Sequence, residues 1–240
     1  MEAIVSLIAA LAATFFAIDL YRDYSSKPRP HVAAYGTGIS MFAIATWALF
    51  FGLTFVWNGP VYRTFFLLGA ILNIPVLAIG SMFLVVGRKS GHIATIAVGA
   101  LAAISTTLTL TVPFENPLPG HGIPVDIFPL GFSPRLFAII GGALGSTVLI
   151  TLSLVSVIRF WNKNRSIVWG NALILLGVFA AAWRGTGLAL GDGGGFAFSL
   201  LLAVSLIWAG YKVASGKRHA PPAQDPESDS ESRVDQLELD

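Results

Sequence analysis

The chain has 240 residues, of which 55% are hydrophobic and 12% charged, with 25 glycines and no cysteine. A soluble domain carries about 25% charged residues, so this composition excludes an ordinary soluble core-and-shell domain. It equally excludes a disordered chain and a cysteine-stapled secreted module. The net charge of +2 conceals a split. Residues 1–213 hold twelve Lys/Arg against six Asp/Glu, whereas residues 214–240 hold three against seven. The basic part follows membrane topology, and the acidic part, rich in Pro and Ser from Ala220 onward, reads as a disordered tail.

A bilayer core about 30 Å thick needs about 20 apolar residues of helix. Seven stretches qualify, at approximately 2–20, 32–57, 61–86, 92–112, 135–160, 167–190 and 195–213. They are continuously apolar without period-two alternation, which disfavours strands. The expected fold is therefore all-α, a polytopic bundle of seven transmembrane helices. Turn and helix-start signals separate the spans: Lys27-Pro28-Arg29-Pro30, Asn58-Gly59-Pro60, Arg88-Lys89-Ser90-Gly91 and Asp192-Gly193-Gly194-Gly195.

Arg22, Lys27 and Arg29 follow the first span, Arg88 and Lys89 the third, Arg159, Lys163 and Arg165 the fifth, and Lys212, Lys217 and Arg218 the seventh. The opposite side has Arg63, Arg135 and Arg184. Eleven against three is a positive-inside bias, placing the N-terminus outside and the tail in the cytoplasm. The first span carries its positive charges after the apolar run, the reverse of a signal peptide, and is expected to be retained. Tyr21, Tyr24, Tyr35, Trp161, Trp169 and Tyr211 then fall near the inner interface, and Trp57, Tyr62 and Trp183 near the outer one, where amphipathic rings settle. Residues 113–133, with Pro113, Pro117, Pro119, Pro124 and Pro129, cannot form a regular helix and are expected to lie across the outer mouth as a cap.

Asn73 and Pro75 lie near the middle of the third span. Pro75 has no N–H and collides with the carbonyl of Ile71, so a break with a freed acceptor is expected at mid-depth. Transporters place their sites at such breaks. However, Gly69, Asn73 and Gly80 fall within about 40° on a helical wheel, so a small-residue seam with an interhelical hydrogen bond explains Asn73 without a substrate, and this is the reading we favour. In the fifth span, the stripe Gly142, Ser146, Leu149, Ser153 and Ser156, and the neighbouring Gly141-x-x-x-Gly145, are read as close helix packing in preference to a hydroxyl-lined path. The hydroxyls Ser105, Thr106, Thr107, Thr109 and Thr111 in the fourth span can bond back to their own helix carbonyls.

Arg184 lies about 9 Å inside the outer end of the sixth span. It must snorkel, pair or face a polar cavity. Its expected acceptors are Asp192, Asp126, Glu115 or carbonyls of the 113–133 loop. Asn171 lies about 140° around the same helix, so the two do not form one stripe. Asp19, the one acid within a span, is expected to reach water or Arg22.

Catalysis has little to stand on. There is no phosphate-cradling glycine loop, no nucleophile elbow, no His-Glu-x-x-His and no pair of intramembrane carboxylates. None of the four histidines lies mid-span, which disfavours bis-histidine haem. His121, Asp126 and Glu115 lack a metal-site spacing. Lys212 sits at the end of the last span, where no mid-membrane Schiff base can form. No cofactor and no nucleic-acid partner are expected, since no basic, aromatic-interleaved segment lies outside the spans.

The run from Tyr62 through Arg63, Gly69 and Asn73 to Pro75, and the tripeptide Asn171-Ala172-Leu173, resemble segments of uncharacterised seven-span membrane proteins of actinobacteria. The resemblance implies a seven-span layout and brings no activity. SWEET-type sugar transporters share the span count and orientation, but their Pro-Gln motif is absent here. The expected role is a non-catalytic scaffold, sensor or accessory subunit of a membrane complex, partnered by the bilayer and by other membrane proteins. The alternative is a carrier for a small neutral or anionic solute, using the third-span break and the outer arginines. An intramembrane enzyme comes last.

Overall fold

The computed structural model describes residues 1–120, 122–161, 165–189 and 195–215, with the backbone alone for residues 184–189. The acidic tail and the Asp192 turn therefore lie outside the described residues. Seven helices are long and apolar enough to cross a membrane. They are α1 (Glu2–Ser26), α2 (Pro30–Thr54), α3 (Gly59–Val86), α4 (Arg88–Thr111), α5 (Pro134–Phe160), α6 (Arg165–Ala189) and α7 (Phe196–Ser215).

The helices start where local chemistry dictates. Pro30 occupies the first turn of α2, where a missing N–H costs nothing. Asn58 caps α3 by accepting from the Val61 N–H at 3.0 Å, and Ser133 caps α5 by accepting from Arg135 N–H at 3.3 Å. Between α3 and α4 the chain turns on Gly87. Its N–H closes a five-residue-back bond to the Met82 carbonyl at 3.0 Å, and its φ of 126° suits only glycine.

Six of the helices form a ring. Neighbours around it are α1, α2, α3, α5, α6, α7 and then α1 again, while α4 stands outside and packs on α3 and α5. The ring closes between α1 and α7 through polar contacts: Trp208 Nε1 and Lys212 Nζ both donate to Asp19, at 3.0 and 2.9 Å, and Tyr211 donates to Asp23 at 2.5 Å. Asp19, expected to reach water or Arg22, is thus also engaged across the helix pair by α7 while its side chain stays partly exposed. Only 11% of the apolar window of α4 is buried, against 50% in α2 and α3. Large apolar side chains such as Ile96, Ile158 and Trp183 lie on the exterior, a surface compatible with a membrane protein.

The tightest helix pairing joins α6 to α7. Methyl groups built at Gly170, Gly177 and Gly210 would lie 2.7, 2.8 and 2.5 Å from the carbonyls of Gly210, Ala203 and Gly170 respectively. Gly170 and Gly177, like Ala203 and Gly210, are seven residues apart and so recur on one face. That spacing was readable in the sequence and is the signal by which this seam could have been found.

Residues 112–133 contain no helix among those described and fold over one end of the ring. Phe114, Ile127 and Phe128 pack there with Trp57, Tyr62, Phe65 and Phe196. Trp57 and Tyr62 are consequently buried, at 3% and 2% exposure, instead of anchoring at a lipid interface. Trp57 Nε1 donates to the Gly122 carbonyl at 2.8 Å. Trp161, Trp169 and Trp183 stay exposed.

Candidate functional site

The mid-depth break in α3 is wider than one proline requires. Phe66–Leu72 is π-helical, and the Asn73 N–H reaches back five residues to Leu68. A second π-helical stretch, Met82–Val86, ends the helix. Extra residues of this kind absorb the clash that Pro75 would otherwise make with the preceding turn. Asn73 is buried at 7% exposure, and its Oδ1 accepts from the adjacent Ile74 N–H at 2.6 Å. Asn73 opens the restarted helix, and among the described residues its side chain bonds to no other helix, so the interhelical bond expected from its seam is not seen there. Gly69 and Gly80 do lie in a seam against α2, where added methyls would meet Ala45 and Tyr35.

The Gly141-x-x-x-Gly145 motif sits directly on this break. A methyl at Gly141 would lie 3.0 Å from the Ile71 carbonyl oxygen, and one at Gly145 would lie 2.9 Å from Pro75 N. The glycines let the backbone of α5 lie directly against the break in α3. Gly142, by contrast, has nothing within 4 Å of an added methyl. The expected fifth-span stripe therefore divides: Gly142 is not a packing residue, while Leu149, Ser153 and Ser156 face the interior.

Arg63, near the start of α3, binds the end of α4. Its guanidinium donates to the Thr109 carbonyl and, at 3.1 Å, to the Val112 carbonyl, groups that a helix C-terminus leaves without partners. The same cation lies 4.4 Å from the Phe114 ring centroid and 5.7 Å from that of Phe128. Asp126, one expected partner of Arg184, is paired with Arg135 at 2.6 Å. The Arg184 side chain lies outside the described residues. Of the fourth-span hydroxyls, those of Ser105, Thr107 and Thr111 bond back to their own helix, whereas Thr109 Oγ1 is buried without a partner among the described residues.

At the end of the ring opposite the cap, the six helices leave a central crevice of about 60 Å³, room for a handful of waters. Phe16, Tyr35, Ser81, Ser153, Asn171 and Tyr211 bring one wall residue each from α1, α2, α3, α5, α6 and α7. The walls are mainly aliphatic, and no charged side chain is among them. Tyr35 and Ser81 hydroxyls bond to each other at 2.9 Å, and Asn171 Nδ2 donates to the Ile167 carbonyl at 2.9 Å. The crevice does not reach Asn73, Pro75 or Arg63. The candidate residues thus fall in three places: Asn73 and Pro75 at the break, Arg63 beneath the cap, and Asn171 in the crevice. The crevice escaped the sequence reading because it belongs to no single helix. The described residues hold no cluster of three or more His, Asp or Glu side chains suited to a metal ion.

Fold and site together define an all-helical protein with seven membrane-length helices. Comparisons with protein-family models, curated proteins and solved structures return no match.

Proposed function

We propose that this chain is a multi-pass protein of the cell membrane, N-terminus outside and tail cytoplasmic, acting without catalysis as a scaffold, sensor or accessory subunit of a membrane complex. The observation that carries this reading is the use of mid-depth polar groups by the fold itself. Asn73 bonds to its own neighbour, and the Pro75 break is filled by Gly141 and Gly145. Arg63 is likewise engaged by two carbonyls and two rings. A solute site at this depth would leave such groups facing a cavity. The outlying α4 offers a mostly unburied apolar helix to lipid or to a neighbouring membrane protein.

The purified chain in liposomes is expected to pass a panel of small neutral and anionic solutes no faster than protein-free liposomes do. Flux above that background, saturating with solute, would replace the scaffold with a carrier. One observation favours that second reading for neutral solutes: the central crevice is closed at the cap end and lacks charge. Orientation is checked separately. A reporter fused after Asp240 is expected to read as cytoplasmic, and an external reading overturns the charge-based assignment.

A further inference from the structure

Hydroxyls on the helices of this bundle usually bond back to a carbonyl one turn earlier. Thr14, Thr46, Thr95 and Thr147 all do so, to Ala10, Phe42, Gly91 and Ala143 at 2.8 Å. Ser153 and Ser156 are different. They are buried, at 6% and 7% exposure, both line the central crevice, and neither makes a hydrogen bond among the described residues. Three residues apart on one helix, they present their hydroxyls side by side. Both hydroxyls open onto the crevice with no protein partner among the described residues, so the group that bonds them there comes from outside the chain. Asn171 faces the same space with its amide nitrogen already bonded to Ile167, which leaves the amide oxygen as a further acceptor.

We propose that the crevice binds a small neutral molecule carrying a hydroxyl or carbonyl group on a short apolar body. The polar group is held by Ser153 and Ser156, with Asn171 beside them, and the body lies against the aliphatic walls. Neutrality follows from the absence of charged residues in the wall, because an ion buried there would have no counter-charge. A mostly apolar enclosure with a few convergent polar groups is the usual composition of a small-molecule site. The volume of about 60 Å³ limits the bound part to a short chain. Entry is from the end opposite the cap, where Tyr211, Ser156 and Val85 lie. The site is separate from Asn73 and Arg63, so it stands whether or not any solute crosses the bilayer.

The test is photolabelling of the full chain in lipid nanodiscs with a diazirine-bearing hexanol, followed by peptide mapping. Label is expected on crevice-wall residues of α5 and α6, and excess unlabelled hexanol should remove most of it. The double variant S153A/S156A should lower crevice labelling at least threefold, while Thr147→Ala, on the exposed flank of α5, leaves it unchanged. A second variant, Ser153→Leu, fills the space and should abolish crevice labelling. Thermal melting of each variant separates lost binding from lost fold, and a variant that fails to fold is replaced by Ser156→Ala alone. Label confined to lipid-facing residues, label that hexanol does not displace, or crevice label unchanged in folded serine variants would each overturn the proposal. In the last case water alone satisfies the two hydroxyls.

Discussion

Gly145→Ala is expected to lower the stability of the detergent-solubilised protein by about 1–3 kcal/mol, the usual cost of forcing extra atoms into a packed interior. The added methyl would lie 2.9 Å from Pro75 N and 3.1 Å from the Ile74 carbonyl carbon. Both are backbone atoms, so relief requires α5 to move away from α3 as a whole. Gly145→Val should prevent assembly altogether. Gly142→Ala supplies the contrast: three residues away on the same helix, its methyl would meet nothing within 4 Å, and the variant should melt with the native protein. Thermal unfolding of the three variants in one detergent decides the matter. Equal melting of Gly145→Ala and Gly142→Ala would show that α5 does not close the break in α3.

Arg63→Met should release the cap. The substitution keeps an unbranched side chain but removes the donors to the Thr109 and Val112 carbonyls and the cation beside Phe114. A hydrogen bond to a charged group contributes about 1.5–3 kcal/mol, and the two here share one guanidinium and are not additive. Most of α4 faces outward, while at this end Ser105, Thr109, Val112 and Phe114 pack inward, so Arg63 pins the carbonyls of a segment whose side chains already face the core. Limited proteolysis within residues 113–133 should therefore accelerate before the bundle itself unfolds. Arg63→Lys should restore only part of the protection, since an ammonium cannot reproduce the planar fork that reaches both carbonyls. If Arg63 instead served an anionic solute, its loss would reduce flux and leave proteolysis of the loop unchanged. That outcome would overturn the structural role assigned here.

Some of this architecture is local and therefore legible in residues. The length of each apolar run sets a membrane-length helix, because an unpaired backbone group cannot be tolerated in hydrocarbon. Asn58 and Ser133 mark helix starts through bonds made within one turn, and Pro30 through its missing N–H and fixed φ. Pro75 announces a break because its ring collides with its own helix. The break's π-helical form is not legible, since it depends on Asn73 taking the Ile74 N–H and on α5 supporting the exposed carbonyl. Small residues at Gly141 and Gly145 announce a close approach without naming the partner. Arg63 reads equally well as a ligand for an anion until Thr109 and Val112, more than forty residues later, are seen to occupy it.

Helix number and the capping of individual ends follow from the sequence by itself, because each is decided by interactions within a few residues or by the solvent along the whole span. The order of helices around the ring, the exclusion of α4, the burial of Trp57 and Tyr62 and the position of the crevice are decided only in the tertiary structure. A soluble helix advertises its inward face by where its apolar residues lie. A helix in lipid is apolar all round, so its inward face is selected by shape: glycine against backbone, ring against glycine, and hydroxyls turned into the space that the packing leaves.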